Sequence, residues 1–297
     1  SRAAGSDSHG GDVQVGGRCA ALLRAVRTAV WRLRNAYSAA GAYAGRRQLR
    51  FHDHDGDVRL GALDGDEVTA FPKQASRLDS TATFSREEVE SLPPCEPSKI
   101  VCVGRNYADH AEEMGSDVPD RPLFFLKPPN AVASDGDDLT LPSGKQRLDY
   151  EAEIAVVIGE RATNLDESEA MAHIAGFTCM NDVSNRDDQQ KEQNWVRGKA
   201  FDDSAPLGPV LATPDEVPAD ARIQCRVNGE TRQDATREHF IFSVPELLAD
   251  ITSYVTLEPG DVLSTGTPEG VGPLADGDTV EIRLEGVGTL TNTVTIP

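Results

Sequence analysis

Short runs of apolar residues, many alternating with polar ones, recur along most of this 297-residue chain. That is the pattern of a β-rich protein. Leu49-Arg-Phe51 and Val58-Arg-Leu60-Gly-Ala62 flank a polar turn, His52-Asp-His54-Asp-Gly56, and predict a β-hairpin. A turn at Asp64-Gly65 and a strand from Val68 to Phe71 extend it. Ser85-Arg-Glu-Glu-Val-Glu-Ser-Leu92 opens with a capping-box pattern, Ser with Glu three residues on. Pro93-Pro-Cys-Glu-Pro97 reads as a linker. A buried strand is expected over Lys99-Ile-Val-Cys-Val103. It leads through Gly104-Arg-Asn106 into a helix carrying Tyr107, His110, Glu113 and Met114. Further strands are predicted over 151–158, 176–181, 208–212 and 222–227, with a helix near 166–175 and a polar stretch over 182–198. Pro245 to Tyr254 reads as a helix with Pro in its first turn. The end is strand and turn: Asp261 to Ser264, Thr279 to Leu284, and Gly288 to Ile296. No internal repeat is visible.

Residues 1–47 break this pattern. They hold eight arginines and two acids, a local charge of +6, so with a net charge of −20 the remaining 250 residues carry −26. Leu23, Val26, Val30, Leu33 and Tyr37 recur at helical spacing. A basic amphipathic helix, for targeting or surface anchoring, is one expectation. The other, preferred because a presequence fits poorly with the acidic body, is a dispensable extension translated from GC-rich sequence.

Charge narrows the partners. A net charge of −20 argues against nucleic acid and anionic membranes. An anionic small molecule stays open, since one metal or lysine can dominate a pocket. No apolar run approaches the ~20 residues of a membrane span. Six lysines against 49 acids resembles the composition of proteins from salt-loving microbes. Five cysteines, Cys19, Cys95, Cys102, Cys179 and Cys225, show no paired spacing. They read as buried thiols of a reducing, cytoplasmic compartment.

The densest chemistry begins at Asp149-Tyr-Glu-Ala-Glu153. Residues i and i+2 of a strand share a face, about 7 Å apart. Glu151 and Glu153 therefore stand side by side, with Asp182 after the next apolar stretch. Oxygen-only ligands suit Mg²⁺ or Mn²⁺, with Ca²⁺ a third option. Taken alone, a solvent-facing strand with two ordinary charges explains the pair as well. His110 and Glu113 share a helix face, as a histidine held by a carboxylate for acid–base work would. A surface contact is the plainer alternative. Lys199 could polarise a carbonyl or pin a carboxylate, or be solvated. Arg186 and Gln189 lie near Asp182 in sequence. The Gly-rich turn Thr265 to Pro273, with Thr267, could hold an anion but is no P-loop. Zinc, serine-hydrolase and dinucleotide signatures are absent.

In order and spacing, six motifs resemble the fumarylacetoacetate hydrolase family. They are Val103-Gly-Arg-Asn-Tyr-Ala-Asp-His110, Phe125-Leu-Lys-Pro128, Asp149 to Glu153, Asn181 to Asp187, Gly198-Lys-Ala-Phe-Asp202 and Thr265-Gly-Thr-Pro268. The resemblance covers roughly 98–297 and is weaker over 49–95. It implies a mixed, β-rich α+β fold: a β-roll catalytic domain over 96–297, a small β domain over 48–95, and homodimers. It implies Mg²⁺ or Mn²⁺ at Glu151, Glu153 and Asp182, a pocket lysine at Lys199, and an acid–base pair, His110 and Glu113, on a lid. Arg186, Gln189 and Thr267 match substrate-pocket positions, and Arg105 and Tyr107 are taken as further ones. Gln193 to Gly208 resembles the branch of acylpyruvate hydrolases, oxaloacetate decarboxylases and hydroxy-dienoate isomerases rather than the sugar-acid dehydratases. The implied substrate is a 2-oxo or enol carboxylate whose C–C bond is cleaved by hydrolysis or decarboxylation through a metal-bound enolate, with isomerisation of a 2-hydroxy-dienoate as the alternative. A non-catalytic relative that binds an oxo-acid or a metal is the competing reading.

Overall fold

The computed structural model describes residues 47–71, 82–113, 115 and 117–297. The readings of residues 1–46, Cys19 among them, and of Met114 lie outside these. Strands β1 (Arg47–His52), β2 (Val58–Asp64), β3 (Glu67–Ala70), β4 (Thr83–Ser85) and β5 (Glu90–Leu92) come first. Then come β6 (Ile100–Gly104), β7 (Leu123–Lys127), β8 (Val132–Ala133) and β9 (Asp138–Thr140). The middle holds β10 (Leu148–Tyr150), β11 (Ala152–Ile158), β12 (Ile174–Asn181), β13 (Ser184–Asn185) and β14 (Ala205–Ala212). β15 (Arg222–Val227), β16 (Glu230–Thr236), β17 (Val262–Ser264), β18 (Gly272–Pro273), β19 (Thr279–Leu284) and β20 (Gly288–Thr295) complete the set.

The largest sheet runs β4-β3-β2-β1-β14-β12-β11-β17-β6-β7, with β5 on β1 and β8 on β14. A second sheet runs β16-β15-β19-β20-β9, and a small third one β13-β10-β18. The protein is α+β and β-rich, with parallel pairs such as β17–β6 among antiparallel ones. The predicted hairpin forms: β1 pairs with β2 from Arg47–Leu63 to His52–Val58. β1 then reaches the rest of the sheet through Gln48 opposite Leu211.

All seven residues of β11 are buried, so it lies under cover on both faces. Its partners are β12 and β17, which supply Phe177, Cys179 and Leu263 to the core. Helix Val244–Thr252 is capped by Ser243 and Glu246 and buries Val244, Leu247, Leu248 and Ile251. Cys95, Cys102, Cys179 and Cys225 are buried free thiols.

Three expectations change. The capping box at Ser85 opens only a 3-10 turn, Arg86–Glu88, because β5 follows at once. The helix near 166–175 shortens to Glu167–Ala170 and a 3-10 turn, Met171–His173, since Ile174 already pairs in β12. Tyr107 precedes its helix, which spans Ala108–Glu113.

Candidate active site

β10 ends at Tyr150 and β11 begins at Ala152, so Glu151 sits where the chain passes between two sheets. Its backbone is fixed from β12. Glu151 N–H donates to Asn181 Oδ1 at 2.9 Å, and Asp182 N–H donates to the Glu151 carbonyl at 2.9 Å. The strand period places Glu153 beside Glu151. One carboxylate oxygen from each of Glu151, Glu153 and Asp182 lies within 4.8 Å of the others, and all three residues are buried. The solvent-facing reading of this strand is excluded.

Buried charges need partners. Lys199 Nζ donates to Glu151 Oε2 at 2.6 Å and to Asp182 Oδ2 at 2.7 Å. Arg186 donates through Nε to Asp149 Oδ2 at 2.8 Å, through Nη1 to Gln189 Oε1 at 2.8 Å, and through Nη2 to Glu151 Oε1. Burial disfavours the Glu151 charge, but Arg186 and Lys199 outweigh it and hold the carboxyl well below its usual range. Burial likewise opposes the Lys199 charge, and Asp182 and Glu151 more than compensate.

Glu153 differs. Its Oε2 accepts from the Ser264 hydroxyl and from Gly266 N–H at 3.1 Å, and it makes no ion pair among the described residues. Burial first, then the charges of Asp182 and Glu151, push its carboxyl up to about 8. Asp182 Oδ1 is buried without a hydrogen bond. Lys127 Nζ pairs with its charge at 2.7 Å and donates to the carbonyls of Ser204 (2.8 Å), Val183 (3.4 Å) and Lys199. A buried, oxygen-only donor set in which Glu153 lacks a cationic partner among the described residues fits a hard divalent ion.

A cavity of about 170 Å³ opens over the cluster. The three acids line it with His110, Lys199, Arg186, Gln189, Thr267 and Arg105, so most sequence-predicted positions converge. His110 Nδ1 lies 3.2 Å from Glu113 Oε2, and the Glu113 carboxylate accepts from Gly270 N–H at 3.2 Å. Glu113 thus stands behind His110 and ties its helix to the Thr265–Pro273 turn. Tyr107 departs from the expectation. It is buried, packs edge-on against Phe240 at 5.1 Å, and is not part of the cavity wall.

Lys127, Asp149, Ser264, Gln233 and Trp195 also surround the site, in roles that the sequence alone does not reveal. Lys127 and Asp149 stood inside quoted motifs, which was the available signal. Trp195 and Phe125 meet edge-to-face at 5.6 Å on the cavity wall, and Lys199 Nζ lies 5.0 Å from the Phe125 ring centre. Among the described residues no helix is long and apolar enough to cross a membrane.

The chain is similar to several known proteins. The mitochondrial oxaloacetate tautomerase FAHD2A of Bos taurus is 43% identical over 244 residues, 78% of this chain and 78% of that protein. The 5-carboxymethyl-2-hydroxymuconate delta-isomerase of Mycobacterium smegmatis is a structural match. Its TM-score is 0.76 at 36% identity, over 84% of this chain and 100% of that one. The fumarylacetoacetate hydrolase of Exiguobacterium antarcticum gives a TM-score of 0.74 at 32% identity, over 85% and 100%. Residues 99–295 match the profile of the fumarylacetoacetate (FAA) hydrolase C-terminal domain. The chain therefore belongs to the fumarylacetoacetate hydrolase family, and its buried carboxylate cluster lies within the region that defines that family.

Proposed function

We propose that this protein is a divalent-metal-dependent enzyme acting on 2-oxo carboxylates through their enol forms, and that its reaction is a proton shift of the tautomerase or isomerase kind. The observation that carries this is the bridging of Glu151 and Asp182 by Lys199 in a cavity that also holds Glu153 and His110. Two of the three Lys199 N–H donors are engaged there. The third remains for a substrate oxygen on which charge grows. Held by Glu151, Glu153 and Asp182, Mg²⁺ or Mn²⁺ would supply Lewis-acid stabilisation of that charge. His110, oriented by Glu113, takes the proton from the carbon next to the oxo group and returns it elsewhere. Arg186, Gln189 and Thr267 hold the substrate carboxylate.

The names of two relatives, a tautomerase and a delta-isomerase, favour this proton shift. The hydrolase relative favours a second reading, in which His110 activates water for cleavage of a carbon–carbon bond. Both are tested by adding the protein with Mg²⁺ or Mn²⁺ to oxaloacetate and to acetylpyruvate. Enol absorbance is followed and products are weighed by mass spectrometry. Metal-dependent interconversion without change of mass supports the proton shift, and appearance of acetate and pyruvate from acetylpyruvate supports cleavage. No change with any acid or metal overturns the reading.

A further inference from the structure

Two aromatic side chains, Phe125 and Trp195, line the cavity beside the carboxylate cluster. Their rings meet edge-to-face, with centres 5.6 Å apart. Lys199 Nζ lies 5.0 Å from the Phe125 ring centre. This wall therefore starts at the ammonium that bridges Glu151 and Asp182 and runs through Phe125 to Trp195. The acids and Lys199 are buried, whereas Trp195 is half-buried between exposed Asn194 and Val196. Trp195 thus stands at the mouth of the cavity, next to whatever a substrate carries beyond its oxo-carboxylate end.

The indole is fixed in that place. Trp195 is the N-cap of the short helix Val196–Lys199, with φ 57°, the left-handed region that residues with a Cβ disfavour. Its carbonyl accepts Lys199 N–H at 2.8 Å, so the backbone that carries the ring is tied to the backbone that carries the ammonium. Behind the helix, a Cβ added to Gly198 would lie 2.9 Å from Gln189 Cα. The helix is therefore seated directly against Arg186–Gln189 and has no room to retreat. Phe125 backs the indole itself. Strain kept by the surroundings gathers at binding sites.

The cavity is also small. Its volume of about 170 Å³ lies below the range of about 300–1,000 Å³ for ordinary ligand pockets. A rigid wall beside so small a space sorts ligands by the group that meets it. A group that fits gains apolar contact, and a larger one must displace the ring. We infer that Trp195, backed by Phe125, is a specificity residue: it limits the size of the group that a substrate carries beyond its oxo carbon, so that the site selects compact acids. This rests on the oxo-acid reading above.

The test compares two acids by calorimetry on the full chain with saturating Mn²⁺. They are 2-oxobutanoate and 2-oxo-4-phenylbutanoate, which differ only by a phenyl group on the last carbon. Neither has the second carbonyl that cleavage needs, so both are read at equilibrium. The wild type should bind 2-oxobutanoate ten- to a hundredfold more tightly, the range that pocket size can supply. Trp195→Gly, which suits the left-handed backbone, should shrink that preference below threefold or reverse it. Trp195→Phe should lie between the two. Should Trp195→Gly fail to fold, Trp195→Asn replaces it, because Asn tolerates the same backbone. No preference for the smaller acid in the wild type overturns the inference while leaving the oxo-acid site standing. So does an equal weakening of both acids in Trp195→Gly, which would make the indole a support for the Lys199 helix alone. If neither acid binds, the oxo-acid reading falls and this inference with it.

Discussion

The side-chain amide of Gln233 donates to the Thr267 hydroxyl oxygen at 2.8 Å and to the Pro268 carbonyl at 2.8 Å. Its own oxygen accepts Ala152 N–H at 2.9 Å, from the residue between Glu151 and Glu153. The amide orientation is fixed by chemistry, since Ala152 N–H can only donate and Pro268 O can only accept. Thr267 must therefore turn its own hydroxyl hydrogen away from Gln233. Gln233→Leu should cost about 1–3 kcal/mol by stranding a buried N–H and a buried carbonyl. It should also raise KM more than it lowers kcat. Urea unfolding and steady-state kinetics read the two effects. A loss of stability with KM unchanged would make Gln233 a structural residue and nothing more.

Glu153 accepts hydrogen bonds from Ser264 and Gly266, and an amide oxygen can accept the same bonds. Glu153→Gln should therefore fold and keep its melting temperature within a few degrees. It should weaken Mn²⁺ binding by a hundredfold or more, as loss of an anionic ligand does to an oxygen site. Titration of free Mn²⁺ by electron paramagnetic resonance measures this directly. Wild-type affinity in the variant would remove Glu153 from the ligand set.

The raised Glu153 carboxyl gives metal binding a pH dependence. This acid is pushed up on folding, from 4.5 to about 8. In the metal-free protein its contribution to stability is therefore full below about 4.5 and is lost as pH rises toward 8. A cation takes the ionised form, so binding must release the proton. Mn²⁺ affinity should rise about tenfold per pH unit between 6 and 7.5 and level off above 8. Calorimetry in two buffers of different ionisation enthalpy should find about one proton released at pH 7. Glu153→Gln should release none.

How far the sequence reveals this site depends on where each residue's partners lie. The acidic pair is legible because the period of a strand is local, and the apolar run from Ile154 to Ile158 marks the strand. Lys127 is illegible in its setting. It stands at the end of β7, and its burial depends on carbonyls of Lys199 and Ser204, more than 70 residues away. Gln233 hides for another reason. β16 reads Glu-Thr-Arg-Gln-Asp-Ala-Thr, mostly polar, and only Gln233 and Ala235 are buried. A strand at a sheet edge carries too little apolar alternation to be seen.

Lys127 supplies a stability prediction. The ammonium is fully buried, donates to the carbonyls of Val183, Lys199 and Ser204, and lies 2.7 Å from Asp182 Oδ1. Lys127→Met removes the charge and leaves the three carbonyls and Asp182 without it. Breaking one side of a buried pair costs about 3–5 kcal/mol. Chemical denaturation should show a loss of that size in the metal-free protein. Saturating Mn²⁺ should recover part of it, because a cation at the cluster also neutralises Asp182. A loss that Mn²⁺ does not touch would mean that the carbonyl contacts, rather than the charge on Asp182, account for the role of Lys127.

His110 and Glu113 separate proton transfer from enolate stabilisation. His110 lines the cavity and Glu113 stands behind it, accepting from Gly270 N–H. His110→Ala should lower kcat for tautomerisation, or for acylpyruvate cleavage, by about 10²–10⁴-fold, as loss of a general base does. Glu113→Gln keeps an acceptor for Gly270 but weakens the hold on an imidazolium, so its effect should be smaller, about tenfold, and fall on kcat rather than KM. Decarboxylation of oxaloacetate requires neither water attack nor proton removal from carbon. It should fall by less than tenfold in His110→Ala while Lys199→Met abolishes it. Initial rates for the three reactions on one set of variants distinguish the roles, and an equal loss of all three in His110→Ala would show that the histidine shapes the cavity instead of moving a proton.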